Sequence, residues 1–179
     1  WVAAFRATGS NALKALLPGA PDKSDFSSWA EFAALVDRMH DELMAEGLTF
    51  ADVPERAKGL AGFSDKNRWL ALHRIATVYL KILNDNDCDD ACRTRLEAAQ
   101  KKQCRSDYDV ILIGTAEMPQ AIRMMLAQIG PRVTALIHAP ECYADRFDAS
   151  GCTVSEAWQE TRIDLDDEHL IVAEGPEEQ

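Results

Sequence analysis

The chain has 179 residues, 30 of them Asp or Glu against 19 Lys or Arg, which gives a formal charge of −11 at pH 7. A surface that acidic repels phosphate backbones on average and argues against autonomous, nonspecific nucleic-acid binding. A hydrophobic content of 47% can supply a core and argues against disorder, while no apolar run approaches the roughly 18 residues of a membrane span.

Composition changes near residue 106, and the part before it has helical spacing. Val2–Leu17 is expected as one helix ended by Pro18-Gly-Ala-Pro21. Ser28 with Glu31 has the form of a capping box, in which hydroxyl and carboxylate each satisfy an unpaired backbone N–H. Beyond it Trp29, Phe32, Ala33, Val36, Met39 and Leu43 make one apolar stripe, and Gly47 suits a C′ stop. Gly47 to Gly62, with Pro54 and Gly59, is expected as an irregular connection. A second helix is expected from Asp65 to Asn84, with Trp69, Leu72, Ala76, Tyr79 and Leu83 on one face and Lys66, Arg74 and Lys81 mostly elsewhere. Asp89 to Gln103 makes a third, more polar helix.

After residue 106 the period shortens. Val110–Ile113 is a short apolar run with β-branched residues, bounded by Asp107, Asp109 and Gly114, and suits a strand buried on both faces. Pro119 fits the first turn of a helix that Ala121, Ile122, Met125, Leu126 and Ile129 carry to Gly130-Pro131. Val133–Ile137 repeats the strand pattern, so the three segments predict a βαβ unit with parallel strands. Pro140–Phe147 and Ser155–Gln159 suit short helices, and Thr161–Leu165 with His169–Ala173 suit a strand pair joined by an acidic turn. The expected fold class is α/β: a helical subdomain over residues 1–105, then a small, partial parallel-sheet layer of Rossmann-like type over 106–179.

The loop Gly114, Thr115, Ala116, Glu117 stands where open α/β sheets bind ligands, beyond the carboxyl end of a strand and before a helix N-terminus. Glu117 could hold a metal or activate water; a plainer role is to offset the helix dipole. A nucleotide hydrolase also needs a glycine-rich phosphate loop and an acidic residue ending a strand. The chain has no such loop, and its strand ends in Ile113-Gly114. Cys88 and Cys92 would share a helix face with Cys104 a dozen residues on, yet they lack the paired spacing of a zinc site. Five cysteines, an odd number, and no signal peptide suit free thiols in a reducing cytosol. His138 lacks the partners of a zinc deaminase, and His40, His73 and His169 are scattered. The run Asp164–Glu168 suits a solvated turn. Lys101, Lys102 and Arg105 could touch phosphate or simply complement a helix C-terminus. No catalytic residue, metal or cofactor is expected in the chain.

Two stretches carry a resemblance. Asp107-Tyr-Asp-Val-Ile-Leu-Ile-Gly-Thr-Ala-Glu-Met-Pro-Gln-Ala-Ile-Arg-Met-Met-Leu126, then Val133-Thr-Ala-Leu-Ile-His-Ala-Pro-Glu141 with Ala144-Asp-Arg-Phe-Asp-Ala-Ser-Gly-Cys152, resemble large bacterial proteins of the AddB/RecB type in the PD-(D/E)XK nuclease family. The likeness spans about residues 105–175, and the helical part follows only in general character. It implies a P-loop helicase-like region that has lost its ATPase motifs, with Val110–Ile113 at the strand that carries an Asp-Glu pair in active helicases. The nuclease residues and cluster-binding cysteines of that family have no counterpart here.

The favoured expectation is therefore a noncatalytic, helicase-like scaffold segment of a DNA-repair and recombination nuclease, cytoplasmic, positioning DNA or a partner. Its partners would be the remainder of its own polypeptide and an AddA-like helicase subunit, with DNA reached only through the full-length protein. Phosphate contact would fall to Arg93, Arg95, Lys101, Lys102 and Arg105. The competing readings are a small-molecule or nucleotide-binding α/β enzyme using the 114–117 loop, and a helical protein-interaction module. A start at Trp1 without Met, with two or three parallel strands where such sheets typically have about five or six, reads as a cut from a larger protein.

Overall fold

The computed structural model describes residues 1–17, 19–22, 24–159, 161 and 162, leaving aside the side chains of Ser10 and Asn11. The first apolar stretch forms two helices where one was expected, α1 (Val2–Ala7) and α2 (Ser10–Leu16). Thr8 leaves the helical region at ψ 140° and turns its hydroxyl back onto the Ala4 carbonyl at 2.7 Å. Gly9 follows in an extended conformation and begins α2. A Thr-Gly pair thus ends one helix and starts the next, because glycine resists the helical state on entropic grounds.

Helix α3 (Phe26–Ala45) starts one turn before the expected capping box. Its N-cap is Asp25, whose carboxylate accepts the Ser28 N–H at 3.1 Å and the Ser28 hydroxyl at 2.7 Å. A charged acceptor taking two hydrogen bonds outcompetes a neutral hydroxyl for this position. The end is as the glycine predicts. Gly47 sits at φ +72°, Leu48 N–H donates to Leu43 O at 2.8 Å and Gly47 N–H to Met44 O at 3.1 Å, the two bonds of a Schellman motif.

The connection after α3 contains a short helix, α4 (Asp52–Arg56), so it is less irregular than expected. Asp52 accepts both the Thr49 N–H and hydroxyl, at 2.7 and 2.6 Å. Next come α5 (Lys66–Asn84) and α6 (Ala91–Gln100). Both end in Schellman turns built without glycine: Asp87 at φ 51° and Lys102 at φ 56° take the left-handed position. The closing bonds run from Cys88 N–H to Leu83 O and from Gln103 N–H to Ala98 O, each 2.9 Å. The main core joins Phe5, Trp29, Val36, Phe50, Leu72 and Ile75 from α1, α3, α5 and the loop before α4. Each large apolar side chain so buried contributes about 1.5–3 kcal/mol.

Strand β1 (Val110–Ile113), helix α7 (Gln120–Gln128) and strand β2 (Val133–Leu136) follow, the strands forming a two-stranded parallel sheet. The architecture is mixed α/β and mostly helical. Expected burial on both faces of the strands does not occur. Along each strand partly buried and exposed residues alternate, leaving Ile111 61% and Ile113 77% exposed. Among the described residues, the two-stranded sheet has too few elements around it to cover both faces.

By packing, the chain divides into two compact units, Trp1–Val110 with Met118–Val133, and Ile111–Glu117 with Thr134–Gln179. In the first, α7 lies on α3 and α6 around Met44, Leu96 and Ala121. Gln128 fastens it: its amide donates to Ala99 O at 2.7 Å and Met124 O at 2.9 Å and accepts from Cys104 N–H at 3.0 Å. In the second, a 3-10 turn (Glu141–Arg146) and α8 (Ser155–Gln159) pack together. Trp158 stands edge-on to Phe147 at 5.9 Å and donates from its indole to Arg146 O at 3.1 Å. Of the expected strand pair, Thr161–Leu165 and His169–Ala173, only residues 161 and 162 fall within the described residues, as does none of the Asp164–Glu168 run. Among the described residues no helix is long and apolar enough to cross a membrane.

Candidate functional site

The loop after β1 turns at Gly114, whose φ of +60° favours glycine. Its N–H donates to Leu136 O at 3.0 Å, and the Ala116 N–H folds back onto Gly114 O at 3.0 Å. The Ala116 carbonyl accepts both the Thr153 N–H at 2.9 Å and the Thr153 hydroxyl at 3.1 Å. Thr115 is half-buried and Glu117 exposed. A phosphate cradle works by turning successive backbone N–H groups toward the ligand. Here the N–H groups of 114 and 116 are spent on the loop's own carbonyls and on β2, so the geometry favours a tied turn. Helix α7 itself has no side-chain cap and starts after Pro119, which occupies the N-cap position and not the first turn.

The five basic candidates lie on and just beyond α6. Arg93 Nε donates to Glu97 at 2.7 Å and Lys101 Nζ to the same carboxylate at 2.9 Å, and these bonds, Lys101's first, hold Glu97 below the usual carboxylate range. Lys102 is the left-handed C′ residue of the helix. Arg105 donates to the Lys102 and Cys104 carbonyls at 3.0 and 2.7 Å, in the chain just beyond the helix. Arg95 is exposed and near enough to act on Cys92 electrostatically. Between α6 and α7 a shallow cleft of about 680 Å³ is lined by Gln100, Lys102, Arg105, Met124 and Gln128. The set is thus gathered on α6 and the few residues after it, but Arg93, Lys101 and Arg105 are already engaged there.

The cysteines are free. Cys88 belongs to the C-terminal turn of α5, giving its N–H to Leu83 O, so it does not share a helix face with Cys92 as expected. Burial, then a hydrogen bond donated to Asp41, pushes the Cys92 thiol up to about 11, which makes it a poor nucleophile. Cys92 lines a cavity of about 290 Å³ with Asp41, Arg95 and Ala121. Cys152 is fully buried. His138 is exposed after β2.

One polar cluster escaped the sequence reading. Asp90, the N-cap of α6, accepts the Arg93 N–H at 2.7 Å and the Tyr79 hydroxyl at 3.1 Å. His40 Nε2 lies 3.3 Å from the same carboxylate, with side chains 2% and 7% exposed, but at an angle that makes no hydrogen bond. Trp1 stacks on Tyr79 at 4.1 Å and 9° and meets His40 edge-on at 5.3 Å. Burial, reinforced by the Asp90 charge, raises the Tyr79 phenol well above its ordinary value. The cluster joins α3, α5 and α6. Its one sequence signal was Asp90 before α6, a capping residue by type.

These features define a mostly helical, mixed α/β chain with a two-stranded parallel sheet and a basic helix end as its candidate surface. No family model matches the chain, and neither a curated protein nor a solved structure is significantly similar to it.

Proposed function

We propose that the chain is a noncatalytic, helicase-like scaffold segment of a bacterial DNA-repair nuclease of the AddB type, positioning DNA or an AddA-like partner for a nuclease site elsewhere in the same polypeptide. The βαβ layer is then a degenerate P-loop helicase-like sheet. The observation that supports this reading is the end of β1. Where an active helicase presents an acidic pair to magnesium and water, Ile113 runs into Gly114, whose N–H is bound to Leu136 O. Such an end lacks the carboxylates by which an active helicase orients a hydrolytic water. The test is the coding sequence beyond Gln179. A downstream Asp, acidic residue and Lys in PD-(D/E)XK order is the expected result, and an open reading frame that continues without it refutes the proposal.

A second reading, the helical interaction module, is favoured by one feature. Trp29 is buried in the helical core, but Trp69 lines an apolar groove of about 200 Å³ with Phe32, Leu35 and Met39, where Leu35 is 52% exposed. A photocrosslinker placed at position 35 that captures no protein in the native cytosol would remove this reading.

A further inference from the structure

Between Lys66 and Asn84 the chain holds Lys66, Arg68, Arg74 and Lys81 and not one Asp or Glu, within a protein of net charge −11. At 3.6 residues per turn, Lys66, His73, Arg74, Thr77 and Lys81 fall in an arc of about 100°, and all five are exposed. Leu70, the apolar residue inside this arc, is partly buried. The opposite arc, Ala71, Leu72, Ile75 and Ala76, is committed to the core. Carboxylates approach both ends of the stripe: Asp85, the C-cap of α5, follows Lys81 by one turn. From α4, Glu55 lies within electrostatic reach of Lys66 and Asp52 of His73, but Glu55 is engaged by Lys58 and Asp52 by Thr49. Arg68 leans to Asp65 at 3.8 Å. Arg74 and Lys81 have no ion-pair partner among the described residues.

The geometry points to this face of α5 as a docking surface for a phosphodiester backbone. Protein interfaces draw their binding from aromatic and aliphatic anchors, and membrane-surface helices from an apolar face. The apolar face of α5 is already used inside the core, so electrostatics is what remains. From Lys66 to Lys81 the stripe runs about 22 Å at 1.5 Å per residue, the axial length of about six phosphates on one strand. Repulsion from the acidic remainder of the surface would direct a duplex onto this face. The proposal deepens the DNA-positioning reading above and rests on it for the choice of DNA.

The test is fluorescence anisotropy of a labelled duplex with the 179-residue chain between 50 and 200 mM salt. Three phosphate contacts give a slope of about −2.7 and about a 40-fold loss of affinity over that range. The triple variant Lys66→Gln, Arg74→Gln, Lys81→Gln should lose that component at an unchanged urea midpoint. Should the triple variant be destabilised, Arg74→Gln alone should remove about one unit of slope. A matched variant neutralising Arg93, Arg95, Lys101, Lys102 and Arg105 separates the outcomes. If it alone loses binding, the α5 proposal falls and DNA positioning stands. If wild type binds no duplex at 50 mM salt, the α5 proposal falls, and the scaffold reading, which also admits an AddA-like partner, is decided by its own test. If labelled poly-glutamate binds as tightly as the duplex and is lost in the α5 variant, the face belongs to an acidic protein and the phosphate assignment falls.

Discussion

Replacing Asp90 by Ala removes one carboxylate that two groups hydrogen-bond and a third, His40, adjoins. The N–H of Arg93 loses its cap, 2.7 Å away, at a cost of about 1 kcal/mol. The Tyr79 hydroxyl, 3.1 Å away, is left without its acceptor in a partly buried position, for about 1 kcal/mol more. His40 Nε2, enclosed 3.3 Å from Asp90, makes no hydrogen bond to it and adds nothing to this sum. The sum of about 2 kcal/mol is a substantial share of the 5–15 kcal/mol typical of a domain. At a urea slope of about 2 kcal/mol/M it moves the midpoint down by about 1 M. Asp90→Asn keeps an oxygen for the cap and an amide for the His40 side, so it should cost about half as much. A Tyr79→Phe by Asp90→Asn double-mutant cycle should show a coupling of about 0.5–1.5 kcal/mol. If Asp90→Ala unfolds within about 0.5 kcal/mol of wild type, or Ala and Asn behave alike, the cluster does not join the three helices as argued.

Lys102→Gly and Asp87→Gly should each raise the urea midpoint by the equivalent of about 0.5–1 kcal/mol, since both positions hold a left-handed backbone that disfavours a Cβ by more than glycine loses in chain entropy. A lower midpoint in either would mean that the turn differs in solution. Ile113→Glu, at a position 77% exposed, should change stability by no more than about 0.5 kcal/mol in urea denaturation monitored by circular dichroism; a loss above about 1.5 kcal/mol would show that the sheet face is covered. Asp52 is held below the usual carboxylate value of 3.8, first by the Thr49 hydroxyl and then by the Thr49 N–H. Because the folded value is the lower one, its contribution is complete above the unfolded value and fades as pH falls through the folded one. The urea midpoint of Thr49→Val should therefore differ from wild type more at pH 7 than at pH 3, and an equal difference at both would refute the linkage.

Helix α3 was legible from its apolar stripe and its stop glycine, and α5 from its stripe alone. The start of α3 was missed for an equally local reason. Asp25 and Ser28 are both capping residues one turn apart, and spacing alone does not say that the second donates to the first. Strand burial was not local. A run such as Val110–Ile113 fits two buried faces or one, and the outcome depends on which elements pack there from remote parts of the chain. The same holds for His40, Tyr79 and Asp90, which spacing could not bring together and packing does.

Charge shows how an average can mislead. A net charge of −11 sums the whole chain, and arguing from it against phosphate contact treats the surface as uniform. A phosphate within a Debye length, about 10 Å at 0.1 M salt, responds mainly to the charges nearest it. At the outer arc of α5 those are Lys66, Arg74 and Lys81, whereas on α6 Arg93 and Lys101 are already paired with Glu97, and Arg105 beyond it with backbone carbonyls. The total charge therefore bears on how readily the chain approaches a polyanion, and the local charges on which face can hold one. The α5 arc is where these two signs oppose each other.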